Sequence, residues 1–302
     1  MPSTHDILFG IVIPGLIAAF VLVVAWRPWR RGVGRRVDGR WGGAVALPLA
    51  FAVGYAAVAF GRQTMGGGYT YAPPRVPPAD ATHWIWLLLP LPLVLGLTDA
   101  IFKPKWWVRL PLVALAAVAV AKLVVPREPW GMTAIIAAGS VVLWALLEPL
   151  AERARGAAVP VAMWLAAVTA FAVITDGGSS KVGLHAATLA AAAGGAVVVG
   201  LLAKDLSLAR GGVLAFSLLL PALLAAGHFY ANVTPVHAAF TLLAPLGAWA
   251  VALPVVRGWR PWKRAAIALV ATAVVAAPAN VPAIQGLIKT AQEESRGGGV
   301  PY

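Results

Sequence analysis

The chain contains no cysteine. This excludes disulfides, thiolate metal sites, iron–sulfur ligation and haem attachment through C-x-x-C-H. Any metal or haem would rest on carboxylates, on five histidines or on four methionines. Charge is scarce as well: 12% of residues are charged, about half of what a soluble domain carries. The motifs H-E-x-x-H and G-x-S-x-G are missing, as is any phosphate-binding loop. No span carries two histidines at bis-histidine haem spacing, and no polar stretch is long enough to fold as a nucleotide-binding domain. An ATP-driven role would therefore need a separate chain. Ser140, and Ser179–Ser180 in DGGSSKVG, lack a nucleophile elbow, and the latter reads as a turn.

What the sequence does contain is apolar. Hydrophobic residues make up 60% of the 302, and the mean hydropathy is +0.82. Runs of about 18 or more apolar residues recur along the whole length, which is the pattern of membrane-spanning helices. Spans are expected near 7–26, 41–60, 84–101, 107–125, 132–150, 159–175, 182–203, 212–228, 236–256 and 263–281. The fold class is thus an all-α membrane protein, a polytopic bundle of about ten transmembrane helices. Residues 1–281 form the transmembrane domain. Residues 282–302 are expected as a short amphipathic segment and a disordered tail on the outer face. Connections are short except at 61–82, where glycine and proline predict a loop without regular structure.

Basic residues divide unevenly between alternate loops. One set (27–40, 103–109, 153–155, 204–210 and 257–264) holds 17 of the 24; the other set holds 7. Lys and Arg in short loops accumulate on the cytoplasmic side, so both termini are expected outside the cytoplasm of a cell (inner) membrane. The segment WRPWRRGVGRRVDGRW at 26–41 then anchors a cytoplasmic loop. Its arginines meet anionic headgroups and its tryptophans lie at the interface; nucleic acid is not its partner. The N-terminal MPSTHDILFG carries no basic residue ahead of the first apolar run, so that run is expected to remain in the membrane.

Two loops of the basic set share a motif, WRPWRR at 26–31 and WRPWKR at 259–264. LLEPLAERARG at 146–156 likewise parallels LLAKDLSLARG at 201–211. Either helical hairpins are repeated in parallel, or interfacial loops have converged on Trp, Arg and a helix-starting Pro.

Ionisable residues inside a membrane are costly and usually functional, and few are present. Asp99 and Glu148 lie at the inner ends of their spans beside Lys103, Arg109 and Arg153, where local ion pairs account for them. His5, His83, His185, His228 and His237 all fall on the outer side. His237, Thr241 and Pro245 share one helical face, as do Ser217, Pro221 and His228. Each of these prolines frees the carbonyl four residues earlier, at Ser217 or Thr241.

Spans six to nine are accordingly expected to form an outward-facing polar pocket of His185, Thr188, His228, Tyr230, Asn232, His237, Thr241 and Asp176. The same residues also read as ordinary helix ends at a wet interface. A small-solute permease ranks first among functions. The alternatives are a metal- or haem-handling redox subunit using His185, His228 and His237, or a non-catalytic subunit with partner membrane subunits. No cofactor is specified. Span seven, ATLAAAAGGAVVVG, is expected inside the bundle because its small residues permit close approach.

Overall fold

A computed structural model describes residues 4–26, 40–63, 69–71 and 90–297. The ten helices follow the apolar runs. They are α1 (Thr4–Trp26), α2 (Arg40–Phe60), α3 (Pro90–Phe102), α4 (Trp106–Val124), α5 (Trp130–Arg153) and α6 (Ala158–Asp176), then α7 (Ser180–Leu202), α8 (Gly212–Tyr230), α9 (Pro235–Ala252) and α10 (Pro261–Gly297). Among the described residues, nine of these are long and apolar enough to cross a membrane, and α3 is shorter. The expected span at 84–101 begins in residues outside the described set. The chain is a polytopic helical membrane protein.

Local chemistry sets the helix ends. Ser179 accepts the backbone N–H of Val182 at the start of α7. Thr234 does the same for His237 at the start of α9, with Pro235 in the first turn, where its missing N–H costs nothing. Proline also reshapes helix interiors. In α1, Leu8–Val12 is a π-helical turn and the Ile13 N–H reaches the Leu8 carbonyl, immediately ahead of Pro14. In α9, the α-helix stops at Leu243 and Ala244–Ala252 continues as a 3-10 helix with Pro245 in its first turn. Pro245 has no N–H for the carbonyl four residues back, so the α pattern ends there.

The expected irregular loop after α2 contains regular structure. Gly61–Gln63 (β1) pairs antiparallel with Tyr69–Tyr71 (β2), Gly61 opposite Tyr71. A second departure lies at the other terminus. The expected boundary at 281/282 falls inside α10, which runs unbroken through Pro278 and Pro282 to Gly297. Residues 298–302 lie outside the described residues, as do 27–39, including most of the arginine-rich segment.

Helix α8 is the axis of the bundle: 89% of its span is buried, against 22% for α1 and 28% for α9. Helix α7 is also interior, at 78%, as its small residues predict. Gly195 lies against the Gly15 backbone of α1, and a Cβ at Gly200 would come within 2.8 Å of the Ala157 backbone. Backbones this close are held by van der Waals packing. Leu16, Phe20, Val270 and Val274 are exposed on the outside of α1 and α10, where lipid takes the place of protein.

Contacts between loops sort the chain ends into two groups. At one end, the Gly156 N–H donates to the Leu206 carbonyl and the Ser207 hydroxyl to the Ala151 carbonyl. At the other, the Tyr230 hydroxyl donates to the Val124 carbonyl, and Gly177 packs on Ala231. The first group contains loops of the basic set and the second does not.

Candidate functional site

Among the described residues, the bundle holds one buried charge cluster, at the end where the basic loops meet. Arg109, in the first turn of α4, directs Nη2 at two carboxylates. Asp99 Oδ2, near the end of α3, lies at 2.6 Å, and Glu148 Oε1, on α5, at 2.5 Å. Both acids are enclosed, at 5% and 4% exposure, so these pairs are not screened as surface pairs are. Trp144, one turn before Glu148, places its ring 5.1 Å from the Arg109 guanidinium carbon. At this distance the cation lies over the ring face, a cation–π contact.

A fourth segment closes the cluster. The Arg210 backbone N–H donates to Glu148 Oε1 at 2.7 Å, and its Nε lies 3.4 Å from Glu152. To present that N–H, the chain turns through two residues of positive φ, Arg210 (+59°) and Gly211 (+129°). Few side chains tolerate the second conformation, and here a Cβ would also overlap Ala44 of α2. A Cβ at Gly96 of α3 would come within 3.2 Å of that same Ala44 and 3.3 Å of Gly211. This three-way approach of Gly96, Ala44 and Gly211 draws α3 against the turn before α8, which brings Asp99 towards Arg210. A cavity of about 20 Å3, room for a water molecule, adjoins the cluster and is lined by Asp99, Arg109, Thr98, Trp144 and Leu214.

The sequence shows acids at span ends with bases nearby, and of the expected cations Arg109 makes both short contacts. Arg210 is not foreseen, because its role depends on a turn conformation that only the packing against α2 imposes.

A second buried polar group lies in the other half of the bundle. Thr188 of α7 is fully enclosed and its hydroxyl reaches the Gly10 carbonyl of α1 at 2.7 Å and its own Leu184 carbonyl at 3.0 Å. Gly10 lies in the π-helical turn just ahead of Pro14, where the α-helical donor pattern is broken and the Thr188 hydroxyl supplies its carbonyl with a donor. One turn away, His185 is equally buried and its ring lies 4.5 Å from that of Tyr55 on α2. A Cβ at Gly54 would overlap both Pro14 and Thr188, so this glycine permits the three helices to meet.

The remaining expected pocket residues have other surroundings. His228 hydrogen-bonds through Nδ1 with the Val233 carbonyl at 2.6 Å and meets Phe229 edge-on. Tyr230 is exposed and holds the end of α4. Asn232 is exposed and takes positive φ in the α8–α9 turn. His237 is half-buried, and its carbonyl accepts the hydroxyl of buried Thr241 at 2.8 Å. Asp176 packs against Gly286 of α10. Thr169, one face along from Asp176, also meets α10, accepting from Asn280 at 2.9 Å. His185 thus looks into the α1–α2 interface, while His228 and His237 belong to the α8–α9 hairpin. Among the described residues, no three His, Cys, Asp or Glu side chains are grouped to hold a metal ion.

These features define a multi-pass α-helical membrane protein with an enclosed ionic cluster near one end. Compared with known proteins, the chain matches no family model, no curated protein and no solved structure.

Proposed function

We propose that the protein is a small-solute transporter of the cell (inner) membrane, with the basic-loop end cytoplasmic and the Asp99–Arg109–Glu148–Arg210 cluster closing that end. The supporting observation is the enclosure of this cluster. Burying an ion pair costs several kcal/mol per ion, and well-packed apolar residues in its place are commonly neutral or stabilising. A scaffold subunit gains little stability from such a cluster. A transporter has a use for it, because ion pairs joining α3, α4, α5 and the turn before α8 can separate as a set and expose a path, as in the switching of packed interfaces between discrete states.

At the opposite end, His228, Tyr230, Asn232 and His237 rim the α8–α9 hairpin and would form the mouth on the outer side. Intramembrane proline breaks at Pro14 and Pro245 supply bends in α1 and α9.

Cells making the protein, and cells making an Arg109→Ala variant, are to be incubated in an isotopically labelled metabolite extract and the medium followed by mass spectrometry. At least one solute should leave the medium faster with the natural chain and not with the variant. Equal depletion profiles, with both proteins shown to be in the membrane, would reject the transporter reading.

A further inference from the structure

We propose that the Asp99–Glu148 pair is a proton-binding site that couples transport to proton movement; this rests on the transporter reading above. Each carboxylate spends one oxygen on Arg109. The second oxygens, Asp99 Oδ1 and Glu148 Oε2, are buried and accept no hydrogen bond from the described residues. A buried carboxylate ordinarily satisfies its acceptors, since leaving one bare costs on the order of 1–3 kcal/mol. Two bare oxygens in one cluster call for a hydrogen that the ion pairs do not supply.

Charge points the same way. The groups acting on the pair are Arg109 from α4, Arg210 from the turn before α8, and Glu152 one turn further along α5. With Asp99 and Glu148 these make, among the described residues, three acids against two bases, a surplus of one negative charge. Among the described side chains, the other faces add no charge. Helix α2 presents Ala44, α8 presents Leu214, and the 3-10 half of α9 approaches α5 through Trp249, whose indole donates to the Leu146 carbonyl. Lys103 and Lys105, on the α3–α4 linker, are exposed. The cavity beside Asp99 can hold the water that delivers a proton.

The step is simple in its balance. A hydronium ion gives its proton to a bare carboxylate oxygen, forming an O–H bond and leaving water. The pair loses one negative charge, so Arg109 keeps one ion pair where it had two. Weakening that clamp favours separation of α3 from α5, and the proton leaves by the reverse transfer on the other side of the cycle. Two carboxylates on one cation titrate as a unit, so the site takes up a proton in a step that belongs to the pair.

The test is infrared difference spectroscopy on the full chain in lipid nanodiscs, titrated with acid. Acidification should raise a protonated-carboxyl C=O stretching band that shifts in D2O and is lost in the Asp99→Asn, Glu148→Gln double variant. The single variants keep the shape of each side chain and serve if the double variant fails to assemble; each must remove the band or move its midpoint. Replacing Na+ by K+ should leave the band unchanged. Identical titrations of natural and variant chains would overturn the proposal, and so would a band that follows Na+. The spectrum needs no solute, so the two readings fail separately. Solute depletion without the band leaves a transporter with no proton site here; the band without depletion removes the transporter and with it the coupling.

Discussion

The Thr188 hydroxyl lies 2.7 Å from the carbonyl oxygen of Gly10, a residue 178 positions away and four before Pro14. A proline in a membrane helix is tolerated when a neighbour satisfies a backbone group in the turn it disturbs. Here the neighbour is a threonine on the most small-residue-rich helix of the bundle. The contact ties α1, whose outer face is lipid-exposed, to the interior α7.

Thr188→Val keeps the shape and removes the donor. It should destabilise the protein by about 1–2 kcal/mol, the cost of a buried acceptor left bare within the range found for interhelical hydrogen bonds in membranes. Thr188→Ser should recover most of the loss. Thermal unfolding in a fixed detergent measures both. Equal stability of Thr188→Val and the natural chain would mean that water or a shifted backbone serves the Gly10 carbonyl.

The Arg109 cluster makes a prediction about non-additivity. Arg109→Ala leaves two carboxylates buried without their cation, and breaking a buried pair in this way typically costs about 3–5 kcal/mol. The combined Asp99→Asn, Arg109→Gln, Glu148→Gln variant removes all three charges and should be more stable than Arg109→Ala. Arg109→Lys should fall between Arg109→Ala and the natural chain, because an ammonium keeps the charge but lacks the planar, multi-donor geometry of the guanidinium. A combined variant less stable than Arg109→Ala would show that the cluster contributes to stability beyond charge balance.

The fold was legible in the sequence because a membrane helix is specified by run length and by little else. The interior position of α7 was legible for a related reason, since AAAAGGA has nothing to offer lipid but close backbone approach. The site was legible only in part. Helical spacing gives each residue a face, and the pairing of faces is a tertiary fact. Thr169 and Asp176, seven residues apart, share a face, and that face meets α10. Pro14 is as visible in the sequence as Pro221 and Pro245, but the π-helical turn ahead of it, which contains Gly10, is not. The partner of Gly10, Thr188, was not readable, because nothing local to α7 says that α1 lies there. The Gly96–Ala44–Gly211 approach was hidden likewise, since three small residues on three segments carry no signal until the segments meet.

The continuity of α10 changes what a truncation should do. Ala279 and Ala283 are fully buried and Leu287 packs against the core, while Gly286 makes room for Asp176. A chain ending after Val281 should therefore lose about 2 kcal/mol or more, from lost burial of apolar side chains and the exposed end of α6. Equal thermal stability of that truncated chain and the full chain would return residues 282–297 to the status of a surface appendage.

Orientation is the last test, and the absence of cysteine makes it direct. Asn232, in the α8–α9 turn, and Asp205, in the α7–α8 loop, are both exposed and belong to opposite ends of the bundle. A single cysteine at Asn232 should react with a membrane-impermeant thiol reagent in intact cells. One at Asp205 should react only after the membrane is opened, since its loop belongs to the set that carries 17 of the 24 basic residues, and such loops stay in the cytoplasm. Reporter fusions give an independent reading: after Tyr302 or within 72–82 the exterior, near Gly34 the cytoplasm. In a ten-span bundle whose helices alternate in direction, one reversed site reverses all of them. If Asp205→Cys were labelled in intact cells and Asn232→Cys were not, the charged cluster would close the outer end, and the proton site would face the opposite compartment.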